Sequence, residues 1–260
     1  MAQPKVLITR SAHQASALAE ELRARGLETV SVPAIELAEP TNYAALDNAI
    51  LKLETFHWLL FTSANAVEVF VRRGGGRGAP AQKVAAIGLT TALALETEGF
   101  RADLLPAQAV GESFVEALLP FARREDGSAT RFLLVRAEVA RDYLPEKLRE
   151  AGADVTVAPA YRTVIPGSSV EAIRDLFRNR ERWPTAITFT SSSTATNLLA
   201  LLEVAGVELP REILRVSIGP ITSKTLRDAG YPPHAEALAP TLADLATAVV
   251  QALATKALNY

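Results

Sequence analysis

The sequence predicts an α/β protein in which two similar parallel-sheet lobes are joined by a hinge. Short apolar, β-rich runs alternate with amphipathic helical segments along the chain, as parallel strands and their covering helices do. The pattern starts again near Phe132, and two proline-bounded apolar stretches lie at 33–40 and 159–166. Proline disfavours helix, so these stretches are expected to be extended connectors between the lobes.

The elements of the first half follow from apolar runs and from the residues that stop them. Short runs of Val, Leu, Ile and Phe that end in a polar turn predict buried strands. Apolar residues at helical spacing that stop at a glycine, as at Gly26 and Gly99, predict helices. The predicted strands are 6–9, 28–32, 58–62, 83–87 and 103–105, and the predicted helices are 15–25, 42–54, 63–72, 90–98 and 111–121.

The second half repeats this order of segments. A strand followed by arginine occurs at 6–10 and again at 132–136. Helices that end at Gly152 and Gly230 repeat those that end at Gly26 and Gly99. Further matches are 60–63 with 188–191, 86–91 with 217–222, and 111–121 with 242–253. Several matches in one order, at nearly constant separation, indicate an internal duplication.

Small hydroxyl residues follow the predicted strands at the positions where helices begin. Ligands of parallel sheets bind beyond the carboxyl ends of the strands, and helix N-termini attract anions. Ser and Thr are also ordinary helix caps, so any one of these positions predicts no more than a cap. Together, with no acidic strand end among them, they favour a site for a polyanion. The five segments are 9–11, 62–65, 88–91, 190–193 and 219–223.

The composition excludes several classes of function. A formal charge of −2 gives no support to nucleic-acid or membrane-surface binding. The absence of cysteine excludes a thiol nucleophile and a thiolate metal site. His13, His57 and His234 lack metal-ligand spacing and are expected to be structural or exposed. The N-terminus resembles no signal peptide and no apolar run could span a bilayer, so we expect a soluble cytoplasmic protein.

The chain resembles the uroporphyrinogen-III synthase family over nearly its whole length. Phe61-Thr62-Ser63 and the connector Tyr161-Arg162-Thr163 carry the resemblance together with segments 6–10, 64–67, 86–88, 134–136, 189–192 and 218–222. The resemblance implies two flavodoxin-like lobes, a two-stranded hinge and an active site in the cleft between the lobes. It also implies a discontinuous first lobe, made of residues 1–36 and 167–260. The second lobe would be residues 38–164.

The reaction implied by the resemblance is cyclisation of the linear tetrapyrrole hydroxymethylbilane to uroporphyrinogen III. Ring D is inverted and water is lost, so the enzyme would be a lyase of haem biosynthesis. The pyrroles supply the electrons, so neither a cofactor nor a metal is expected. We expect a monomer that receives its substrate from hydroxymethylbilane synthase.

The resemblance also assigns roles to individual residues. Departure of the hydroxyl group needs a proton donor, and Tyr161 matches the connector tyrosine of the family. The alternative for Tyr161 is a packed ring with its hydroxyl in water. The positions expected to bind the substrate's carboxylates are Arg10, Ser63, Ala64, Thr90, Thr91, Arg136, Ser191, Ser192 and Thr222.

Some of these residues have equally plausible structural roles. Each arginine, Arg10 or Arg136, could instead be bonded to a neighbouring loop. Lys224 could reach the cleft, although solvent is the expected surrounding. Some relatives carry a lysine just before the segment that matches Ile218-Gly219, where this chain has Leu214-Arg215, so lysine chemistry is in doubt there.

Two other functions fit the same pattern. One is a cytoplasmic two-lobed receptor that closes over an anionic small molecule. The other is a flavodoxin-like nucleotide or flavin binder, which would need a phosphate loop after the first strand. Segment 9–13 is not such a loop. Turnover that depends on Tyr161 would favour the enzyme. Tight binding of an anion without turnover would favour the receptor.

Overall fold

The computed structural model describes residues 3–10, 12–76 and 81–258, and the side chains of 12–14 and 258 lie outside this description. Ser11 and the side chain of His13 therefore lie outside the described part. The chain divides into two compact units. The first unit is Met1–Glu36 with Val164–Tyr260, and the second unit is Leu37–Thr163.

The elements alternate between strand and helix along nearly the whole chain. In chain order they are β1 (Lys5–Ile8), α1 (Ala12–Arg23), β2 (Glu28–Ser31), β3 (Glu36–Ala38), α2 (Ala44–Ile50), β4 (Trp58–Phe61), α3 (Ala64–Arg72), β5 (Lys83–Ala86), α4 (Leu89–Thr97), α5 (Gly111–Leu118), β6 (Arg131–Ala137), α6 (Tyr143–Glu150), β7 (Asp154–Val164), α7 (Gly167–Phe177), β8 (Ala186–Phe189), α8 (Ser192–Ala205), β9 (Leu214–Ser217), α9 (Pro220–Asp228), β10 (Ala235–Glu236) and α10 (Leu242–Leu258).

The sheet of the first unit has the strand order β10-β9-β8-β1-β2, and its pairs are parallel. Leu7 lies opposite both Val30 and Ile187 in the register. Leu7 and Ile187 pack into one core with α7 and α8, whereas Val6 and Ile8 pack on the other face against α1 and α10. Because helices cover both faces, the central strands consist almost entirely of buried residues.

The sheet of the second unit has the order β3-β7-β6-β4-β5. The pairs of β4 with β5 and β6, and of β6 with β7, are parallel. Leu59 and Phe61 face α2, α3 and α4, whereas Leu60 faces α5 and α6. The predicted strand 103–105 is a single bridge between Leu104 and Ala85.

Several predicted segments differ in extent from the observed ones. The predicted helix 111–121 is α5 followed by a 3-10 turn at Leu119–Phe121. The predicted helix 42–54 is α2 followed by a separate 3-10 turn at Leu53–Thr55. The last turn of α2 tightens because the N–H of Lys52 bonds to the carbonyl of Ala49, three residues back. The connector predicted at 159–166 is mostly the end of the long strand β7, which lies beside β3.

Gly88 allows a close approach of the chain at the start of α4. A Cβ atom at Gly88 would lie 2.7 Å from the Cβ of Ala109, whereas a Cβ at Gly219, the corresponding start of α9, would have no atom within 4 Å. We expect Gly88→Ala to lower the free energy of unfolding by about 1–3 kcal/mol through overpacking. Gly219→Ala serves as the matched control and should change stability little. Urea denaturation measures both, and equal effects of the two substitutions would contradict the prediction.

His57 and His234 each join two neighbouring strands through a neutral imidazole. The N–H of Arg131 donates to Nδ1 of His57 over 2.9 Å, and the N–H of Arg215 donates to Nδ1 of His234 over 3.1 Å. Burial, followed by nearby positive charges, lowers the pKa of both histidines. Protonation would remove both acceptors.

These lowered pKa values predict how stability depends on pH. Histidines of the unfolded chain take up protons near their ordinary pKa of about 6.5, and those of the folded chain do so only at lower pH. The free energy of unfolding should therefore be highest above about pH 6.5 and fall as the pH drops through the lower folded pKa values. In His57→Asn with His234→Asn, the amide oxygen replaces Nδ1 and does not titrate. Urea midpoints at pH 5 and 7.5 should differ less for this variant than for wild type, and an equal difference would contradict the prediction.

Candidate functional site

Serine side chains cap the helices that follow the central strands of both units. After β4, the Oγ of Ser63 accepts a hydrogen bond from the N–H of Ala66 over 3.2 Å. After β8, the Oγ of Ser191 accepts from the N–H of Thr194 over 3.1 Å, and Thr194 completes a capping box. Both serines thus hold the first turn of a helix, where free N–H groups favour anions.

Tyr161 contacts Ser63 within the second unit. The ring of Tyr161 packs against the core of that unit, and its hydroxyl donates to the Oγ of Ser63 over 3.1 Å. The two residues meet because β4 and β7 run parallel to the intervening strand β6 and end at the same edge of the sheet. Ser63 accepts two hydrogen bonds, which leaves its own proton to donate. The Tyr161 hydroxyl is therefore bonded to protein and does not have water as its sole partner.

Arg10 and Ser191 line one cavity of about 160 Å³ in the first unit. Burial lowers the pKa of Arg10, but a guanidinium stays charged at neutral pH. Thr9 also lines the cavity; its side chain is only 2% exposed, and its hydroxyl finds no hydrogen-bond partner among the described residues. The part of the lining that the structure describes contains no carboxylate. One cation, free hydroxyl capacity and the start of α8 together suit a carboxylate ligand.

Polar residues missed by the sequence analysis complete this region. Asn197 lines the Arg10 cavity one turn into α8. The hydroxyl of Thr225, on α9, lies 2.8 Å from the Oγ of Ser192 and 3.1 Å from the carbonyl oxygen of Ile221, and it can donate its one proton to either. Ser192 itself donates to the Ile221 carbonyl over 3.4 Å, so this network ties the first turns of α8 and α9 together. The sequence signal that could have identified Asn197 and Thr225 was their position one turn after the start of a helix.

Arg136 does not share the environment of Arg10. Arg136 is 8% exposed, and its guanidinium donates to the carboxylate of Asp142 over 2.5 Å and to the carbonyl of Arg141 over 2.8 Å. The Nε of Arg136 finds no partner within the described ranges. The loop after β6 thus holds this arginine, which is the alternative stated above. Lys224 pairs with Asp228 at the exposed surface of α9, in agreement with the expected solvent position.

The predicted threonines differ in accessibility. Thr91 and Thr222, at the third residues of α4 and α9, are each 4% exposed. Their burial argues against direct contact with a ligand, and such contact stays a prediction. Thr90 is exposed and Ala64, the first residue of α3, is half-buried, so both lie where a ligand at the strand ends could reach them.

Comparison with known proteins identifies the family. Residues 16–247 match the protein family described as uroporphyrinogen-III synthase HemD. The chain belongs to the uroporphyrinogen-III synthase family. It is 33% identical to a uroporphyrinogen-III synthase of Synechococcus elongatus, covering 95% of this chain and 94% of that one. A putative uroporphyrinogen-III synthase of Methanothermobacter thermautotrophicus is 30% identical, covering 86% and 88%.

Solved structures of the same family share the fold. A mutant uroporphyrinogen-III synthase of Thermus thermophilus has 17% identity and a TM-score of 0.64, covering 97% of this chain and 99% of that one. The Helicobacter pylori protein has 20% identity and a TM-score of 0.56, covering 97% and 100%. At such identities the likeness concerns the fold alone. Family membership does not favour the receptor or the flavin-binding alternative.

The described residues were also compared with what a metal site or a membrane span would need. No group of three His, Asp or Glu side chains comes together in the described ranges. No described helix is long and apolar enough to cross a bilayer. The polar groups at the strand ends include hydroxyls, backbone N–H groups and Arg10, all of which can donate hydrogen bonds to anions.

Proposed function

We propose that the protein cyclises hydroxymethylbilane to uroporphyrinogen III, inverting ring D and releasing water. The reaction makes the protein a hydro-lyase of tetrapyrrole biosynthesis. Besides family membership, the hydrogen bond between Tyr161 and Ser63 at the start of α3 carries this proposal. It places two hydroxyl protons at the carboxyl edge of a parallel sheet, where ligands of such sheets bind.

The reaction begins with loss of the substrate's terminal hydroxyl group. Hydroxide leaves poorly, so a hydrogen-bond donor must stabilise the departing oxygen. Without substrate the Tyr161 proton points to Ser63. During the reaction Tyr161 donates this one proton to the departing oxygen, and the Ser63 hydroxyl turns its own proton to the Tyr161 oxygen. The hydroxyl group leaves with that proton as water, and its ring becomes an electrophilic azafulvene that keeps its N–H proton and therefore carries a positive charge.

The pyrroles supply the electrons for the remaining steps. The substituted carbon of ring D attacks the azafulvene and forms a spiro intermediate. Fragmentation and reclosure then join ring D in the opposite orientation. Ring D finally gives up the proton on its new bonding carbon to the tyrosinate of Tyr161, which restores both the aromatic pyrrole and the donor. The protein's contribution is to hold the linear chain in a folded conformation that favours this attack over simple closure.

The substrate's acetate and propionate groups are the ligands that we assign to the strand ends. In the first unit, Arg10 and the start of α8 bind one carboxylate in the 160 Å³ cavity. In the second unit, the N–H groups at the start of α3 and α4 bind others. Thr90 and Ala64 line these turns, and Ser192 positions the start of α9.

We also infer that the two units are flavodoxin-like lobes that arose by internal duplication and are joined by two connectors. The spatial order of the strands supports this inference. Strands β2, β1, β8, β9 and β10 of the first unit correspond to β7, β6, β4, β5 and the bridge at Leu104 of the second. Action as a monomer that receives hydroxymethylbilane from hydroxymethylbilane synthase belongs to the same proposal.

An isomer assay tests the proposed activity. Hydroxymethylbilane is generated in situ, the protein is added, and the oxidised products are separated into type I and type III uroporphyrin. The bilane closes without an enzyme to type I, so a protein-dependent change to type III is the expected result. Exclusive type I product with folded protein would contradict the proposal and favour the receptor function.

A further inference from the structure

The first unit contains a second cavity, at the edge of the sheet opposite to Arg10. This cavity has a volume of about 560 Å³ and lies among the segments that precede β9 and β10. Its lining includes Arg211, Arg215 and Tyr231. It shares no lining residue with the Arg10 cavity, and the proposed cyclisation makes no use of it.

Arg215 is a buried cation without a counter-ion in the described part of the chain. Its side chain is 6% exposed; Nε donates to the carbonyl of Pro232 over 2.9 Å and Nη1 to the carbonyl of Ile213 over 3.3 Å. Both acceptors are neutral. Burial lowers the pKa of Arg215; Tyr231 partly opposes this shift, and the positive charge of Arg211 adds to it. A buried charge held only by neutral groups favours binding of an anion.

Arg211 adds a second positive charge to the same lining. It is exposed and, within the residues that the structure describes, forms no ion pair. Glu208 is the one carboxylate among the described lining residues, but it is exposed and pairs with neither arginine. Both arginines therefore line the cavity, and no carboxylate of the described residues forms an ion pair with either.

We propose that this cavity binds a small molecule bearing a phosphate or carboxylate group, with Arg211 and Arg215 as counter-ions. Guanidinium groups match the planar, two-oxygen geometry of both anions. The volume falls within the range of small-molecule sites, roughly 300–1,000 Å³, and leaves room for an organic part beside the ring of Tyr231. This is an anion site separate from that of the tetrapyrrole.

Titration of the full chain with inorganic phosphate and with citrate, at ionic strength held constant with chloride, tests the proposal. We expect saturable binding of at least one probe by calorimetry. Arg211→Gln should weaken it about tenfold or more, because a charge-assisted contact is lost. Arg101→Gln, an exposed arginine of the second unit, is the matched control and should bind as wild type does.

Two results would overturn the proposal. The first is binding of neither probe above the effect of chloride, or binding that Arg211→Gln leaves unchanged. The second is a raised KM for hydroxymethylbilane in Arg211→Gln, which would make the cavity part of the substrate site. Arg211 is exposed, so this variant should fold even if substitutions of the buried Arg215 do not.

Discussion

Replacing Tyr161 with phenylalanine should lower kcat for hydroxymethylbilane about 10- to 100-fold while KM changes little. The substitution removes the hydroxyl that donates to Ser63 and keeps the ring that packs against the core of the second unit. Some type III product should remain, because holding the bilane folded contributes to the rate independently of proton donation. Initial rates in the isomer assay over a range of substrate concentrations give kcat and KM, and the product ratio gives the remaining type III fraction.

Ser63→Ala provides the second corner of a double-mutant cycle. If Tyr161 acts through its hydrogen bond to Ser63, the double variant should be little slower than the slower single variant. Ser63→Ala also removes a helix cap, which costs about 1 kcal/mol of stability. Thr241→Ala is the matched control, because Thr241 caps α10 through the N–H of Asp244 and lies outside the proposed site. Fully additive losses in kcat would contradict the pairing.

Phe61→Ala should destabilise the second unit by about 3–5 kcal/mol. Phe61 is fully buried in β4, and its ring lies 5.2 Å from that of Phe70 in an edge-to-face arrangement. No described side chain could fill the space without moving out of a close-packed core. This is the largest effect on stability that we expect from a single substitution in the central strands.

The two tryptophans of the chain allow this effect to be located. Trp58 lies in the second unit and Trp183 in the first, where its indole N–H donates to the carbonyl of Phe177. In a variant that keeps only one of the two tryptophans, fluorescence reports the unfolding of the unit that contains it. Phe61→Ala should shift the urea midpoint seen by Trp58 more than that seen by Trp183, and Phe189→Ala should do the reverse. Identical shifts at both reporters would show that the units unfold together.

The sequence alone predicted the succession of strands and helices well, because buried parallel strands are short apolar runs with few alternatives. Strand ends and helix caps such as Ser63 and Ser191 followed from the same pattern. The role of Tyr161 came from family resemblance, since nothing in the local pattern distinguishes a hydrogen-bonded tyrosine from a packed one. Its contact with Ser63 depends on the order of three strands, which the pattern does not contain.

The two arginines show where repetition misleads. Arg10 and Arg136 occupy equivalent places in the repeats, and the sequence analysis gave them equal prospects. The structure separates them because Arg136 pairs with Asp142, whereas Arg10 lines a cavity together with Ser191. The cavity at Arg211 and Arg215 was unpredictable for another reason: its lining comes from segments before two different strands.

The pairing of β1 has a consequence for synthesis of the chain. β1 is among the first strands to leave the ribosome, yet one of its two neighbours, β8, follows only after all of Leu37–Thr163. The second unit is contiguous and can fold as it emerges. Because β3 and β7 are neighbours in its sheet, folding brings its two ends together. That removes a loop-closure cost of about 4 kcal/mol before β8 meets β1. Early folding of the second unit thus lowers the entropic cost of completing the sheet of the first unit.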